Sequence, residues 1–258
     1  IGKLDDWDSL RQGVPDDMPG IALPLAPATR FPAWEDIIAA HDPISDNPSP
    51  SGDQLALMCY TSGSTGTPKG VMHSFESTAV PTQLVVNDLN ITSDDRILSY
   101  LPLAHVFERA TVECGSFFAG NRIYFAETLE TFVQDLHRAR PTLFISVPRL
   151  WLKFQLGVFQ KMPEGKLARL LRLPLIGRIM RRKILDGLGL AHVRLAGSGS
   201  APIPEELILW YESLGLQLLE GYGMSEDFAY SHMSTPDQRR AGYVGVPGKN
   251  VETRITEE

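Results

Sequence analysis

The sequence predicts an α/β fold with a mainly parallel β-sheet flanked by helices. Short apolar segments rich in β-branched residues alternate with helical patterns of about 10 to 15 residues, which is the spacing of β-α-β units. The chain has 258 residues, of which 43% are hydrophobic, so it can bury a substantial core. No stretch approaches the roughly 18 consecutive apolar residues that a membrane-spanning helix requires.

The individual elements follow from composition and periodicity. Strands are predicted over residues 54–60, 70–73, 96–100, 122–125, 142–147, 193–196 and 216–219. Helices are predicted over residues 34–41, 75–88, 105–118 and 128–139, after Pro148, and around Leu207, Trp210, Tyr211 and Leu214. Residues 1–30 are rich in Pro, Gly and Asp without a clear period, which indicates a linker or the end of a preceding unit.

Two of the helices carry specific signals. Ser74 is placed to cap the helix that begins at residue 75, and Glu76 lies in its first turn, where the positive end of the helix dipole favours an acid. The helix over 128–139 has apolar side chains at positions i, i+3, i+4 and i+7, which predict one buried face. These side chains are Leu129, Phe132, Val133 and Leu136.

A loop rich in glycine and hydroxyl groups, residues 61–70 (TSGSTGTPKG), follows the predicted strand 54–60. Glycine lets the backbone approach an anion closely, hydroxyls and amides donate to it, and the lysine adds a mobile charge. The composition alone is equally consistent with a hairpin connection between two strands. The candidate phosphate-binding residues are Thr61, Ser62, Gly63, Ser64, Thr65, Gly66, Thr67 and Lys69.

Two further turns follow predicted strands. Residues 197–202 (GSGSAP) come after the strand 193–196, and residues 220–226 (EGYGMSE) come after 216–219. Ligands of parallel sheets bind beyond the carboxyl ends of the strands. The strand predictions therefore place all three turns at one edge of the sheet.

These strings together resemble the adenylate-forming (AMP-binding) superfamily. Residues 101–109 (LPLAHVFER) are similar to its second core motif in the long-chain fatty acyl-CoA synthetase branch. Residues 242–248 resemble the segment that follows the magnesium and adenine motif. The resemblance covers nearly the whole chain and implies part of the large N-terminal domain of an acyl-CoA synthetase-like fold.

The resemblance implies an ATP-dependent fatty acid-CoA ligase that uses Mg²⁺ and coenzyme A. The catalytic residues it implies are His105, Ser225 and Glu226, with His105 orienting the acid and Glu226 binding Mg²⁺. The nucleotide-binding residues it implies, besides the loop, are Ser200, Ala201, Pro202, Glu220, Gly221, Tyr222, Gly223 and Ser225. Tyr222 is expected to stack on adenine, whereas Glu108 and Arg109 receive no role and could form an ion pair.

Two alternatives stay open at this point. The acyl acceptor could be a carrier protein, or the chain could bind nucleotide without ligase activity. The missing initiator methionine, and the absence of the family's ribose-binding aspartate and C-terminal lysine, lead us to expect an internal fragment that is inactive alone. We expect a linker and remnant over 1–52, the nucleotide- and acyl-binding core over 53–235, and the start of a β subdomain over 236–258.

Composition limits the binding partners and the cellular location that we expect for the chain. A formal net charge of −7 argues against nucleic acid as a ligand. Two cysteines and no secretory signal favour a cytoplasmic location. Residues 161–183 hold eight Lys or Arg and one acid among leucines and isoleucines. This segment is either a surface helix pair with its leucines packed inward or a contact with the anionic inner membrane surface.

Overall fold

The computed structural model describes residues 1–4, 6–62 and 66–256, which fall into two compact units that divide between Ser49 and Pro50. The first unit contains helix α1 (Trp7–Leu10), a 3₁₀ turn (Arg11–Gly13) and helix α2 (Trp34–Ala40). Helix α2 confirms the prediction over 34–41. None of the described residues in this unit is buried.

The second unit contains nine strands and eight further helices in its described part. The strands are β1 (Leu55–Thr61), β2 (Lys69–Ser74), β3 (Arg96–Ser99), β4 (Arg122–Phe125), β5 (Leu143–Ser146), β6 (Leu195–Ser198), β7 (Leu218–Tyr222), β8 (His232–Met233) and β9 (Val246–Pro247). The helices are α3 (Phe75–Asp88), α4 (Val106–Glu108), α5 (Gly115–Ala119), α6 (Phe132–Ala139), α7 (Pro148–Lys161), α8 (Glu164–Leu171), α9 (Pro174–Gly187) and α10 (Glu205–Ser213). A π-helical segment, Arg109–Cys114, joins α4 to α5.

The main sheet has the strand order β4-β3-β5-β6-β7-β8-β9. Its first five strands are parallel, and β8 and β9 extend it antiparallel. Each connection between sequential parallel strands contains at least one helix. The predicted mainly parallel α/β architecture is therefore confirmed.

The parallel strands are buried on both faces. Successive side chains of a strand point to opposite faces, so in β5 Leu143 joins one hydrophobic cluster and Phe144 the other. The larger cluster packs α6, α7 and α10 around the fully buried Trp151 and Tyr211. Val85 of α3 and Val112 of the π segment cover the opposite face.

The first two strands correct the sequence analysis. The prediction placed the strand before the Gly-rich loop among those that carry ligand turns at the sheet edge. Instead, β1 and β2 pair antiparallel in a separate two-stranded sheet, so the loop is a hairpin connection. The reason is local, since antiparallel strands need only a short connection whereas parallel ones need a crossover.

Of two helices with specific signals in the sequence, one begins where it is predicted and the other begins later. Helix α3 begins as expected, because the amide of Ser77 donates to Ser74 Oγ at 3.1 Å. Helix α6 begins only at Phe132, since Thr128 and Thr131 bond each other's amides in a preceding turn. Leu129 is consequently 88% exposed. Val133 is also exposed, so of the four predicted side chains only Phe132 and Leu136 form the buried face.

The basic segment forms the helix pair α8 and α9. Leu167 and Leu171 are buried, but Leu175, Ile176 and Ile179 are exposed, so the inward packing of its leucines is correct only for α8. None of the helices in the described part of the chain combines the length and apolar character needed to cross a bilayer.

Candidate active site

The carboxyl ends of β6 and β7 bring two of the predicted turns together. These strands are neighbours in parallel register, with Ser198 opposite Glu220. The chain leaves β6 through Ser200, which has a left-handed φ of 68°. Such a conformation is uncommon for a residue other than glycine and redirects the chain within one residue.

A cavity of about 610 Å³ lies beneath these turns. Apolar side chains from α3 and the strands line it, and they are Val85, Leu89, Ile145, Leu195, Leu219 and Met233. Polar positions also line it, and they are His105, Ser198, Ser200, Tyr222 and Ser225. An apolar interior with a few convergent polar groups is typical of a small-molecule site.

Phe107 narrows this cavity next to the 197–202 turn. A side chain at Gly199 would begin 3.3 Å from the Phe107 ring. The glycine thus lets the ring approach the backbone closely, and a larger residue would require the ring to shift slightly. The sequence analysis missed Phe107, because an aromatic residue in a helix more often indicates ordinary core.

His105 is the last residue before α4 and is exposed. Its amide donates to the carbonyl of Pro102 at 3.0 Å, and Arg109 Nε donates to the carbonyl of Leu103 at 3.1 Å. These bonds fix the loop that carries the imidazole at the cavity wall.

Glu108 and Arg109 do not pair with each other, which corrects the suggested ion pair. Arg109 contacts Glu113 at 2.7 Å, one helical turn further on. Glu108 is 2% exposed and accepts from Ser99 Oγ at 2.6 Å. Burial raises the pKa of the Glu108 carboxyl, although Ser99 and the amides of Tyr100 and Leu101 oppose the shift.

Tyr222 ends β7 with its ring 47% exposed at the mouth of the cavity. Gly223 follows it, and a Cβ there would lie 2.4 Å from the backbone of Ala229. Only glycine therefore lets the chain fold back closely at this point. Phe228 and Ala229 adopt left-handed conformations that complete the return.

The two adjacent acids of this turn have different environments. Asp227 Oδ1 accepts from the amides of Met224, at 2.8 Å, and Tyr230, at 3.1 Å, so it caps the turn. Glu226 is exposed, and no hydrogen bond or ion pair within the described residues engages its carboxylate. Glu226 is therefore the acid that is free to bind a ligand.

Glu220 lies on the buried part of β7. Its Oε2 accepts from the amide of Gly242 at 2.9 Å. Burial raises the pKa of its carboxyl, while the amides of Gly242 and Tyr243 oppose the shift. Its side chain thus holds the segment before β9, and its nucleotide-binding role stays a prediction.

The structure gathers only some of the predicted site residues. His105, Ser200, Glu220, Gly221, Tyr222, Gly223 and Ser225 line the large cavity. Glu226 lines a neighbouring cavity with His73 and Lys249. The described loop residues Thr61, Ser62, Gly66, Thr67 and Lys69 line neither cavity, and Gly63, Ser64 and Thr65 lie outside the described residues. Ala201 and Pro202 are exposed beyond β6.

The donor set fits magnesium only together with a nucleotide. The described residues contain no group of three or more side chains that could hold a metal ion. Mg²⁺ commonly binds through one or two carboxylates and the phosphates of its substrate. The single free carboxylate of Glu226 matches that requirement.

Comparison with known proteins identifies the family of the chain. The family model described as AMP-binding enzyme matches residues 11–258. The human long-chain-fatty-acid--CoA ligase 1 is 33% identical over 245 residues, which is 85% of this chain and 34% of that protein. The chain spans about a third of the length of the curated relatives it matches.

Solved structures share the fold. An anthranilate CoA ligase in complex with anthranoyl-AMP has a TM-score of 0.70 at 22% identity, over 94% of this chain and 43% of that one. The A-PCP didomain of the carboxylic acid reductase from Segniliparus rugosus, in complex with AMP, has a TM-score of 0.56 at 28% identity. That match covers 77% of this chain and 27% of the didomain.

Proposed function

Because the chain belongs to the AMP-binding enzyme family, we propose that it forms part of an ATP-dependent fatty acid-CoA ligase. In the first step a carboxylate oxygen attacks the α-phosphorus of ATP, and the bond to the bridging oxygen breaks to release pyrophosphate. In the second step the sulfur of coenzyme A attacks the acyl carbon and AMP leaves. Named long-chain relatives support the choice of acid.

The observation that carries the proposal is the pairing of a free acid with an apolar cavity. Glu226 ends the turn that roofs the cavity, and its carboxylate is available for magnesium on the nucleotide phosphates. The cavity is lined by His105, by Val85 of α3 and by Leu89 directly after α3, and its apolar part is where an acyl chain can leave water. The proposal requires the acyl carboxylate and the α-phosphate of ATP to meet at this edge of the sheet.

Most of the predicted residues receive a role in this proposal. Lys69 and the hydroxyls of the hairpin loop bind the β- and γ-phosphates. Tyr222 stacks on adenine, Ser200, Ala201 and Pro202 form the opposite wall, and Ser225 contacts phosphate. His105 orients the carboxylate. Magnesium supplies charge neutralisation at the phosphates when bound.

The test is ATP–pyrophosphate exchange by the protein that contains this chain, with acids of graded chain length. We expect exchange with long-chain acids and then thioester formation with coenzyme A. Formation of a thioester on a carrier protein, and not on coenzyme A, would establish the carrier-dependent alternative. The reductase A-PCP didomain shares the fold of this chain. Nucleotide binding without exchange for any acid would contradict ligase activity.

Contact with an anionic membrane surface is a further part of the proposal. Leu175, Ile176 and Ile179 form an exposed stripe on α9, and Arg178 and Arg182 flank it. Apolar side chains flanked by cations suit an anionic bilayer, and this charge complementarity selects the partner. We expect the protein to float with anionic vesicles but not with zwitterionic vesicles. Equal binding to both kinds of vesicle would refute the proposed contact with an anionic membrane.

A further inference from the structure

His73 connects the hairpin to the turn that carries Glu226. Its Nε2 lies 2.7 Å from the carbonyl oxygen of Ser225, 152 residues away in sequence. A carbonyl only accepts hydrogen bonds, so Nε2 carries the hydrogen and donates. The ring is 2% exposed and meets Phe228 edge-on, with centroids 5.0 Å apart.

The alternation of β2 directs His73 towards this turn. Met72 is 69% exposed, whereas His73 on the other face is buried. Below it, Cys59 packs with Phe228 and Val106 in a small hydrophobic cluster. The hairpin therefore packs against the turn through apolar side chains, and the hydrogen bond from His73 is added to this contact.

The rest of the turn is already fixed by its own contacts. Asp227 caps two amides, and Gly223 lies against the backbone of Ala229. The peptide between Ser225 and Glu226 is held differently, because its oxygen bonds to His73. Within the described part of the chain this is the one hydrogen bond between hairpin and turn.

We propose that His73 is a positioning residue, which fixes the Glu226 peptide so that its carboxylate meets magnesium bound to the nucleotide. The strand that carries His73 begins at Lys69, and the four residue steps between them span about 13 Å. The position of Lys69 relative to Glu226 therefore depends on the bond that His73 makes to the turn. The strand thereby links the lysine of the phosphate loop to the magnesium ligand. This inference rests on the proposed function.

The experiment measures fluorescent ATP-analogue binding as Mg²⁺ is titrated, on wild type, His73→Phe and His73→Gln. Phenylalanine keeps the ring against Phe228 and removes the donor, whereas glutamine keeps an N–H. We expect His73→Phe to raise the half-saturating Mg²⁺ concentration about tenfold, the usual effect of losing a group that orients a metal ligand. We expect His73→Gln to stay within about threefold, and metal-free nucleotide binding to be unchanged.

Two controls separate the possible results. Met72→Leu, on the exposed face of the same strand, should leave Mg²⁺ dependence unchanged. In a double-mutant cycle, His73→Phe should have no further effect once Glu226→Gln is present, because both act on one interaction. Amide exchange of the 223–230 turn should rise in His73→Phe.

The outcomes distinguish this inference from the proposed function. An unchanged Mg²⁺ requirement in His73→Phe, with a clear effect of Glu226→Gln, overturns the role of His73 alone. No effect of Glu226→Gln overturns the metal role on which the proposed function relies. Equal loss of binding with and without Mg²⁺ also overturns the inference, since His73 would then support only the fold. If His73→Phe does not fold, His73→Met takes its place against His73→Gln.

Discussion

The two ends of the parallel sheet differ in the hydrogen-bond partners of their polar side chains. At the amino end, Asp95 is 3% exposed and accepts from Arg194 Nε at 2.9 Å and from Thr142 Oγ1 at 2.7 Å. At the carboxyl end, the buried Ser198 Oγ has no partner, and Glu226 is free. At the amino end these polar groups hold strands together, whereas at the carboxyl end Ser198 Oγ and the Glu226 carboxylate have no partner within the described residues.

The polar groups at the amino end of the sheet stabilise the fold, whereas the carboxyl end carries the candidate site. Asp95, Thr142 and Arg194 directly precede β3, β5 and β6. Their bonds tie together the starts of β3, β5 and β6, at the end of the sheet where no ligand is expected. Groups left unpaired at the opposite end cost stability, and sites for binding commonly carry that cost.

The largest effect should come from Glu226→Gln at the carboxyl end. We expect ATP–pyrophosphate exchange to fall by about 100-fold or more, because the carboxylate charge on magnesium is lost. The melting temperature should not change, since Glu226 is exposed and no hydrogen bond or ion pair within the described residues depends on its side chain. Asp237→Asn, at another exposed acid, is the matched control, and a variant that retains full exchange would contradict the assignment.

Next in size is Asp95→Asn at the amino end. We expect a loss of about 3 kcal/mol in the free energy of unfolding, because Arg194 loses its buried partner. Exchange activity per folded molecule should stay near wild type. Urea unfolding measures the loss, and Asp94→Asn at the exposed neighbouring acid is the control.

The same variant has a defined pH dependence. Burial alone would raise the pKa of Asp95, but the bonds from Arg194 and Thr142 outweigh it and hold the pKa below its usual range. The stabilisation is therefore present above about pH 4 and is lost as pH falls through the lowered pKa. The difference between wild type and Asp95→Asn should shrink in acid, and a constant difference would argue against an ionised pair.

Glu108→Gln should have a smaller effect of opposite pH sign. Burial raises the pKa of Glu108, so the folded state keeps its proton to higher pH than the unfolded state does. Wild-type stability should then fall as pH rises through this raised pKa. The glutamine variant should lack this slope when urea unfolding is compared between about pH 4.5 and 7. Parallel profiles would contradict the burial of an acid here.

The smallest effect is expected for Ser198→Ala. Removing a buried hydroxyl without a partner should change the unfolding free energy by less than about 0.5 kcal/mol or raise it. Ser146→Ala is the paired comparison, because Tyr100 OH donates to Ser146 Oγ at 2.7 Å. That variant should lose about 1 kcal/mol. Equal losses for both serines would show that Ser198 is also bonded.

Local signals predicted much of the fold. The Ser74 cap, the helix after Pro148 and the buried strands β5 to β7 depend on neighbours in sequence, and the structure has them. The start of α6 was wrong because the Thr128–Thr131 turn competes with the apolar period. The hairpin was misplaced because strand propensity does not say which sheet a strand joins.

Local patterns in the sequence were enough to predict the order of the strands β1 to β7 and the turns that follow β6 and β7, because these depend on period and composition over short windows. Only folding brings His73 to Ser225 and Arg194 to Asp95, 99 residues apart. It also decided which of the two acids in the turn after β7 stays free. Such pairings arise when packing removes side chains from water and each polar group must find a partner, which leaves no pattern among sequence neighbours.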